Sequence, residues 1–390
     1  MSHTHELPAN NASRRTRRIV AAVLVPAAIA TLLAMILLWP GRVHLNTAPA
    51  GGDRAQGTIT TLTATGATVW ITDGPGKGTD VTADLSTGPG SPRLSVGDKV
   101  VLIHLPGAVA GGNAYTVVDH QRAGPMLWLL ALTVLAVLLF GRRLGLTSLA
   151  GLAVSFAILI FFIIPAILRG SPPLLVAVVG AAAIMFAALY LTHGVNVHTS
   201  IAIAGTLASL VLTGVLGAAF TAALRLTGVA SDDDAFLAAT QGGIDMRGLL
   251  LAGIVIGALG VLDDVTVTQA ATVAELAGHG GKSRWEIYRA ASRIGRAHVG
   301  SAVNTLVLAY AGAALPVLLL LATGSQPVSQ VLTGELLAQE VLRSAVGTIG
   351  LVASVPITTA LAALIADPGG SRSADRRNSP PDRSPRHSRT

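Results

Sequence analysis

The sequence contains no cysteine, which removes disulfide staples, thiolate metal sites, iron–sulfur clusters and cysteine nucleophiles from consideration. Charge is scarce as well. Asp, Glu, Lys and Arg make up 12% of the 390 residues, about half of the ~25% usual in a soluble domain. What charge there is sits at the ends. Arg14, Arg15, Arg17, Arg18, Arg372, Arg376, Arg377, Arg383, Arg386 and Arg389, set against Glu6, Asp375 and Asp382, already equal the net +7 of the whole chain. The body between the tails is therefore balanced, and a nucleic-acid-binding face is not indicated. Basic tails beside apolar spans point to anionic lipid instead. Also missing are an HExxH run, a serine-centred hydrolase motif and a phosphate loop. Gly281-Lys282-Ser283 has the end of such a loop, but Leu276 stands where its first glycine belongs and no strand precedes it.

What is abundant is apolar sequence: 51% of residues are hydrophobic and the mean hydropathy is +0.63. Runs near the ~20 residues that cross a bilayer lie at 19–39, 125–141, 146–168, 173–192, 199–224, 248–274, 302–322 and 341–365. The expected fold is an α-helical polytopic membrane protein of about eight transmembrane helices. Gly141-Arg142-Arg143-Leu144-Gly145 and Arg169-Gly170-Ser171-Pro172-Pro173 are expected as tight turns between antiparallel helices. Lys and Arg collect on cytoplasmic flanks. Arg142, Arg143 and the 275–300 segment then lie inside with both termini, and Asp232-Asp233-Asp234 and Glu335 to Glu340 lie outside. The expected location is a cell membrane, crossed several times. The 19–39 run is read as an uncleaved anchor, because it is longer than a signal-peptide core, although Ala48-Pro49-Ala50 resembles a cleavage site.

Residues 41–124 differ from the rest. Period-2 stretches at 58–62, 68–72, 79–85, 99–105 and 115–118 predict short strands. Asp73-Gly74-Pro75-Gly76, Gly88-Pro89-Gly90, Val96-Gly97-Asp98 and Gly111-Gly112-Asn113 predict the turns between them. The reading is a small extracytoplasmic β-rich, OB-like barrel between the first two spans, suited to docking a protein partner rather than to catalysis. The remaining segments are a basic tail at 1–18, a seven-helix domain at 125–366 and a disordered tail at 367–390. His3 and His5 are too few to hold a metal. No cofactor is expected.

Chemistry points to the sixth span, where Asp263 and Asp264 lie within apolar sequence. Asp264 is roughly 24 Å along the helix from Gly248. A carboxylate at such depth costs at least ~2.5 kcal/mol and is expected to face protein or water. At about 100° per residue, Gly253, Gly257, Gly260, Asp264, Thr268, Ala271 and Glu275 share one face. Gly253, Gly257 and Gly260 would admit a neighbouring helix closely. Asp263, Asp264, Thr268, Gln269 and Asn304 form the candidate ion or proton site, with Thr305, Tyr190, Thr192 and His193 at similar depth. A break near Gly260 would let both carboxylates converge; a regular helix would not. The other reading is a polar cluster that sets helix register. From 275 to 300, Trp285, Ile287, Tyr288 and Ile294 accompany five basic residues, a pattern expected to lie along lipid headgroups.

Two runs resemble a known family. Ile244-Asp245-Met246-Arg247-Gly248-Leu249-Leu250 and Ala252-Gly253-Ile254-Val255-Ile256-Gly257-Ala258-Leu259-Gly260-Val261-Leu262-Asp263-Asp264-Val265-Thr266-Val267-Thr268-Gln269 are similar to the signature of YibE/F-like membrane proteins in their actinobacterial form. Ile294-Gly295-Arg296-Ala297-His298-Val299-Gly300-Ser301-Ala302-Val303-Asn304-Thr305, continuing to Pro316, resembles its second part. Ala297 departs from the acidic residue expected there, which weakens any role for Arg296 and His298. The resemblance spans about 19–366 and implies a permease-like integral membrane protein without an assigned substrate. Two functions compete: a permease or transporter built on the intramembrane carboxylates, or a non-transporting scaffold whose barrel docks a partner. An enzyme is not expected.

Overall fold

The computed structural model describes residues 14–41, 53–63, 66–86, 91–105, 113–279, 281–323 and 333–366. Glu6, the charged residues from Arg372 onward, His3, His5, Ala48-Pro49-Ala50, Gly88-Pro89-Gly90 and Gly111-Gly112 lie outside them, whereas Arg14, Arg15, Arg17 and Arg18 fall in the first helix. The chain divides into two compact units, 42–146 and the remainder.

The first unit contains five strands: β1 (Asp53–Leu62), β2 (Gly66–Asp73), β3 (Asp80–Leu85), β4 (Lys99–His104) and β5 (Tyr115–His120). They close into a barrel in the order β1-β2-β3-β5-β4, with β3 and β5 parallel and the other pairs antiparallel. Alternation explains the closure. Ala67, Val69 and Ile71 of β2 point inward and meet Ala55, Ile59, Ala83, Val100, Leu102 and Val117, while Trp70 stays 44% exposed. The turn at Gly97 is held by Asp98, whose carboxylate accepts from the Ser95 N–H at 2.8 Å. At the end of β5, Asp119 pairs with Arg122 at 2.6 Å. The Arg122 hydrogen bond, helped by the His120 N–H, lowers the Asp119 carboxyl below its ordinary value.

The helical elements are α1 (Arg14–Leu37), α2 (Ala123–Ile158), a π-turn (Leu159–Ile163), α3 (Ile164–Leu168), α4 (Pro173–His193), α5 (Val197–Ala223), α6 (Asp232–Thr240), α7 (Met246–Gly278), α8 (Arg284–Ala313), α9 (Leu315–Thr323) and α10 (Glu335–Ile365). Among the described residues, six helical stretches are long and apolar enough to cross a membrane: Thr16–Leu37, Ala123–Leu168, Pro173–His193, Val197–Ala223, Met246–Gly278 and Glu335–Ile365. Their outer faces carry bare Leu, Ile and Phe, including Phe140 at 97% exposure. Water would not tolerate such a surface; lipid does.

Six differs from the eight expected at two places. The runs at 125–141 and 146–168 count as one 46-residue stretch by length and composition, but two helices meet in it at Arg142, whose φ of 48° and ψ of −121° leave the helical region inside the turn expected at 141–145. A Cβ on Gly145 would lie 2.5 Å from the Val137 carbonyl oxygen, eight residues and about 12 Å back along a straight helix, so the chain doubles back sharply here. The 302–322 run is cut at Ala314 between α8 and α9, two residues before Pro316, which cannot continue an intact helix. Its apolar part is joined to the polar first half of α8.

The centre is a trio of helices. Thr206 of α5 hydrogen-bonds Thr266 of α7 at 2.6 Å. Gly205 and Gly350 lie so close to Thr358 and Thr213 that a Cβ at either would overlap the facing threonine side chain. These contacts run α5 antiparallel to α10, and Gln269 of α7 reaches Thr359 of α10. Around this seam, Met185 and Leu189 of α4, Ile203, Leu210, Leu259, Leu262, Leu306 and Leu351 form the largest core cluster. Side-chain hydroxyls of Ser209, Thr213 and Thr359 bond to carbonyls one turn back, which satisfies them inside an apolar bundle.

Candidate functional site in helix α7

The helix carrying the paired carboxylates is unbroken for 33 residues. No interruption occurs at Gly260, so Asp263 and Asp264 project about 100° apart and do not converge. Their environments differ accordingly. Asp264 lies exposed on the outward face, together with Gly253, Gly257, Gly260 and Thr268. Asp263 turns toward the flank and is half-buried; its Oδ1 is shut away and makes no hydrogen bond.

The other predicted members separate as well. Gln269 is buried on the far side of α7, where its Nε2 donates to the Ala291 carbonyl at 3.0 Å and to Thr359 Oγ1 at 2.7 Å. It ties α7, α8 and α10 together and does not face Asp264. Thr268 spends its hydroxyl on the Asp264 carbonyl at 2.8 Å. Asn304 is exposed on α8, and Thr305 bonds to Ser301. Tyr190 is taken up by Ser200 at 3.0 Å. Among the described residues the glycine stripe is not packed against a neighbour: a Cβ at Gly253 or Gly260 would meet nothing within 4 Å, while one at Gly257 would meet Tyr310 Oη at 2.8 Å. Small residues admit a partner helix but do not summon one, and α7 spends its opposite face on α5 and α10.

The amphipathic 275–300 segment is corrected too. It is not a separate surface helix, since Arg284 onward belongs to the 30-residue α8. Ile287 packs inside beside Ala291, Ala270 and Val273, whereas Trp285 is exposed and stacks on the half-buried Tyr288 with centroids 5.3 Å apart. The acidic Asp232-Asp233-Asp234 loop is in fact the first turn of α6, capped by Ser231.

The YibE/F-like protein family matches residues 129–368, well over half of the chain. The chain belongs to the YibE/F-like family. The matched region of this YibE/F-like protein takes in both carboxylates and every helix from most of α2 to α10, and leaves the barrel outside. No curated protein and no solved structure matches the chain. Family and apolar helices together mark a multi-pass membrane protein.

Two features were missed from sequence. One is the threonine–serine–glycine seam of α5, α7 and α10; the signal was Thr206, Ser209, Thr213 and Gly217 recurring on one face of α5. The other is Glu335, whose Oε1 accepts from the Thr227 N–H, the Thr227 hydroxyl, the Gly228 N–H and Gln339. Nothing local to Glu335 announces a contact 108 residues away.

Proposed function

We propose that this YibE/F-like protein is a permease or transporter in which Asp263 takes up and releases a proton or monovalent cation. The observation that carries the reading is Asp263 Oδ1, enclosed within a membrane-length helix and without a donor. A carboxylate oxygen so placed is stabilised by whichever positive charge reaches it. Asp264, exposed one residue on, is the group through which such a charge passes between Asp263 and the outward face. Membrane-buried carboxylates generally mark ion or proton pathways. The sequence carries no HExxH run and no serine-centred hydrolase motif, and we read the protein as a non-enzyme.

The strand order of the barrel, closed by β1 against β4 with β3 parallel to β5, supports an OB-like reading. The distribution of Lys and Arg supports eight crossings in a cell membrane with both termini cytoplasmic. The exposed Trp285, stacked on Tyr288 beside Lys282, Arg284 and Arg289, supports contact with anionic lipid. A second reading has an observation of its own: Trp70, at 44% exposure on the barrel wall, is a surface on which an extracytoplasmic partner could dock, leaving the helices as an anchor.

The test is carbodiimide labelling of the reconstituted protein against pH, with Asp263→Asn and Asp264→Asn as site controls. Labelling at Asp263 that titrates and is suppressed by a particular cation is the expected result. A well-folded sample in which Asp263 stays inert from pH to pH would sink the transporter reading and leave a register-setting carboxylate.

A further inference from the structure

A cavity of about 220 Å³ lies among the start of α7, the first turns of α10 and the segment leading into α6. Leu249 and Leu250 line it from α7, about 20 Å along that helix from Asp263, so it is separate from the carboxylate site. Its polar lining comes from Ser231, Asp234, Gln339, Glu340 and Arg343.

The walls are held by specific contacts. Glu335 Oε1 receives the Thr227 N–H and hydroxyl, both at 2.6 Å, the Gly228 N–H at 3.0 Å and Gln339 Nε2 at 3.1 Å. That latches the 227–228 turn to α10. Gly228 has φ +86°, and any Cβ there would run into the Met246 carbonyl; only glycine lets the turn press against the start of α7. Gln339 is 5% exposed. The cavity is thus a product of three segments distant in sequence.

Its free valences are of both signs. Arg343 gives one N–H to Glu340 Oε1 at 2.7 Å, and a guanidinium has five. Asp234 uses Oδ2 for the Ala230 and Ser231 N–H groups and the Ser231 hydroxyl, while its Oδ1 accepts no hydrogen bond among the described residues. Glu340 likewise keeps an oxygen in reserve. A lone anion would meet two carboxylates here, and a lone cation would meet a guanidinium. No group of three His, Cys, Asp or Glu able to hold a metal ion occurs among the described residues. The volume corresponds to about seven waters and falls below the ~300 Å³ at which drug-sized ligands begin to fit.

We propose that this cavity binds a small zwitterion of the amino-acid type, its ammonium on the free oxygens of Asp234 and Glu340 and its carboxylate on the guanidinium of Arg343. The proposal rests on the transporter reading and deepens it by naming the solute class. The site lies at the end of the bundle where α7 and α10 begin, so the solute is held apart from the coupling carboxylate.

The experiment is equilibrium binding of tritiated glycine, alanine and serine to the full chain in nanodiscs, competed with ethylamine and propionate, which each keep one end of alanine. Saturable binding of at least one amino acid is expected, with ethylamine and propionate competing at least ~100-fold more weakly because each leaves a charged group unpaired. Asp234→Asn and Arg343→Gln are each expected to weaken binding about tenfold or more. Arg343→Lys keeps the charge beside Glu340, and with it the fold, but loses the fork, and is expected to weaken binding less. Absence of saturable binding in well-folded protein, equal competition by ethylamine or propionate, or full affinity in Arg343→Gln would overturn the site. Amino-acid binding by a protein whose Asp263 is inert to carbodiimide would uphold this site while removing the coupling carboxylate; a titrating Asp263 without amino-acid binding would overturn this site alone.

Discussion

Adjacent carboxylates on a continuous helix meet different surroundings here. Asp263 has an enclosed oxygen without a donor, whereas Asp264 is exposed among glycines. Gln269, grouped with them by sequence distance, belongs to packing. Gln269→Leu removes two hydrogen bonds, but Thr359 still donates to the Val355 carbonyl at 2.6 Å. The expected cost is about 1–2 kcal/mol, read as a lowered thermal midpoint in detergent. Asp264→Asn is expected to shift that midpoint by less than about 0.5 kcal/mol, as surface changes do. A larger loss for Asp264→Asn than for Gln269→Leu would reverse this assignment. Charge and depth marked the carboxylates in the sequence; which way each one faces depends on where α5, α8 and α10 pack, and no residue of α7 states that.

At the scale of the element, close approach decides stability in the helical unit and capping decides where helices start. Gly205 and Gly350 admit Thr358 and Thr213 across the seam between α5 and α10. Gly350→Ala is expected to cost about 1–3 kcal/mol by overpacking, measurable as accelerated thermal inactivation, while Gly300→Ala, with nothing within 4 Å, is expected to be neutral or slightly stabilising. Helix α8 opens with a capping box. Glu286 Oε2 accepts from the Ser283 N–H at 2.7 Å, and Ser283 Oγ accepts from the Glu286 N–H at 3.3 Å. The Ser283 contacts hold the Glu286 carboxyl below its ordinary value. A depressed carboxyl stabilises the fold above its unfolded value and loses that contribution as pH falls through the folded one. A carbon-13 titration of Glu286 should therefore show a midpoint below that of an unstructured glutamate, and Glu286→Gln should fray the first turn of α8 in hydrogen exchange. An ordinary midpoint would mean that the box does not hold in the membrane-embedded protein. Box residues at Ser283 and Glu286 are legible in sequence at the right spacing, and so is the Ser231–Asp234 pair of α6, where three acidic residues in a row read as a loop instead.

For the whole molecule, the barrel and the helical unit are built on different periodicities, and each has its own buried cluster. A fragment carrying residues 53–122 is expected to give a cooperative thermal transition with β-rich circular dichroism, since β1 to β5 close on themselves; a non-cooperative melt would show that the barrel needs the helices. Much of this architecture was written locally. Alternation of Val, Ile and Thr with polar residues specifies strands, because successive side chains fall on opposite faces, and runs of about twenty apolar residues specify membrane helices, because lipid offers the backbone no hydrogen bonds. The same physics makes the YibE/F-like blocks around Asp263 and Asn304 readable as membrane sequence. Helix breaks were legible where glycine and charge mark them, as at Arg142 within the 141–145 turn, and not at Ala314, where the cut is set by a few torsions that hydropathy averages away. By itself the sequence determined the strands, the apolar spans and the presence of two carboxylates among them, all consequences of neighbours along the chain. Tertiary structure alone decided that Gln269 binds three helices together, that Asp263 and not Asp264 is enclosed, and that Glu335 latches a turn 108 residues away to form a cavity, because each depends on which helices pack side by side.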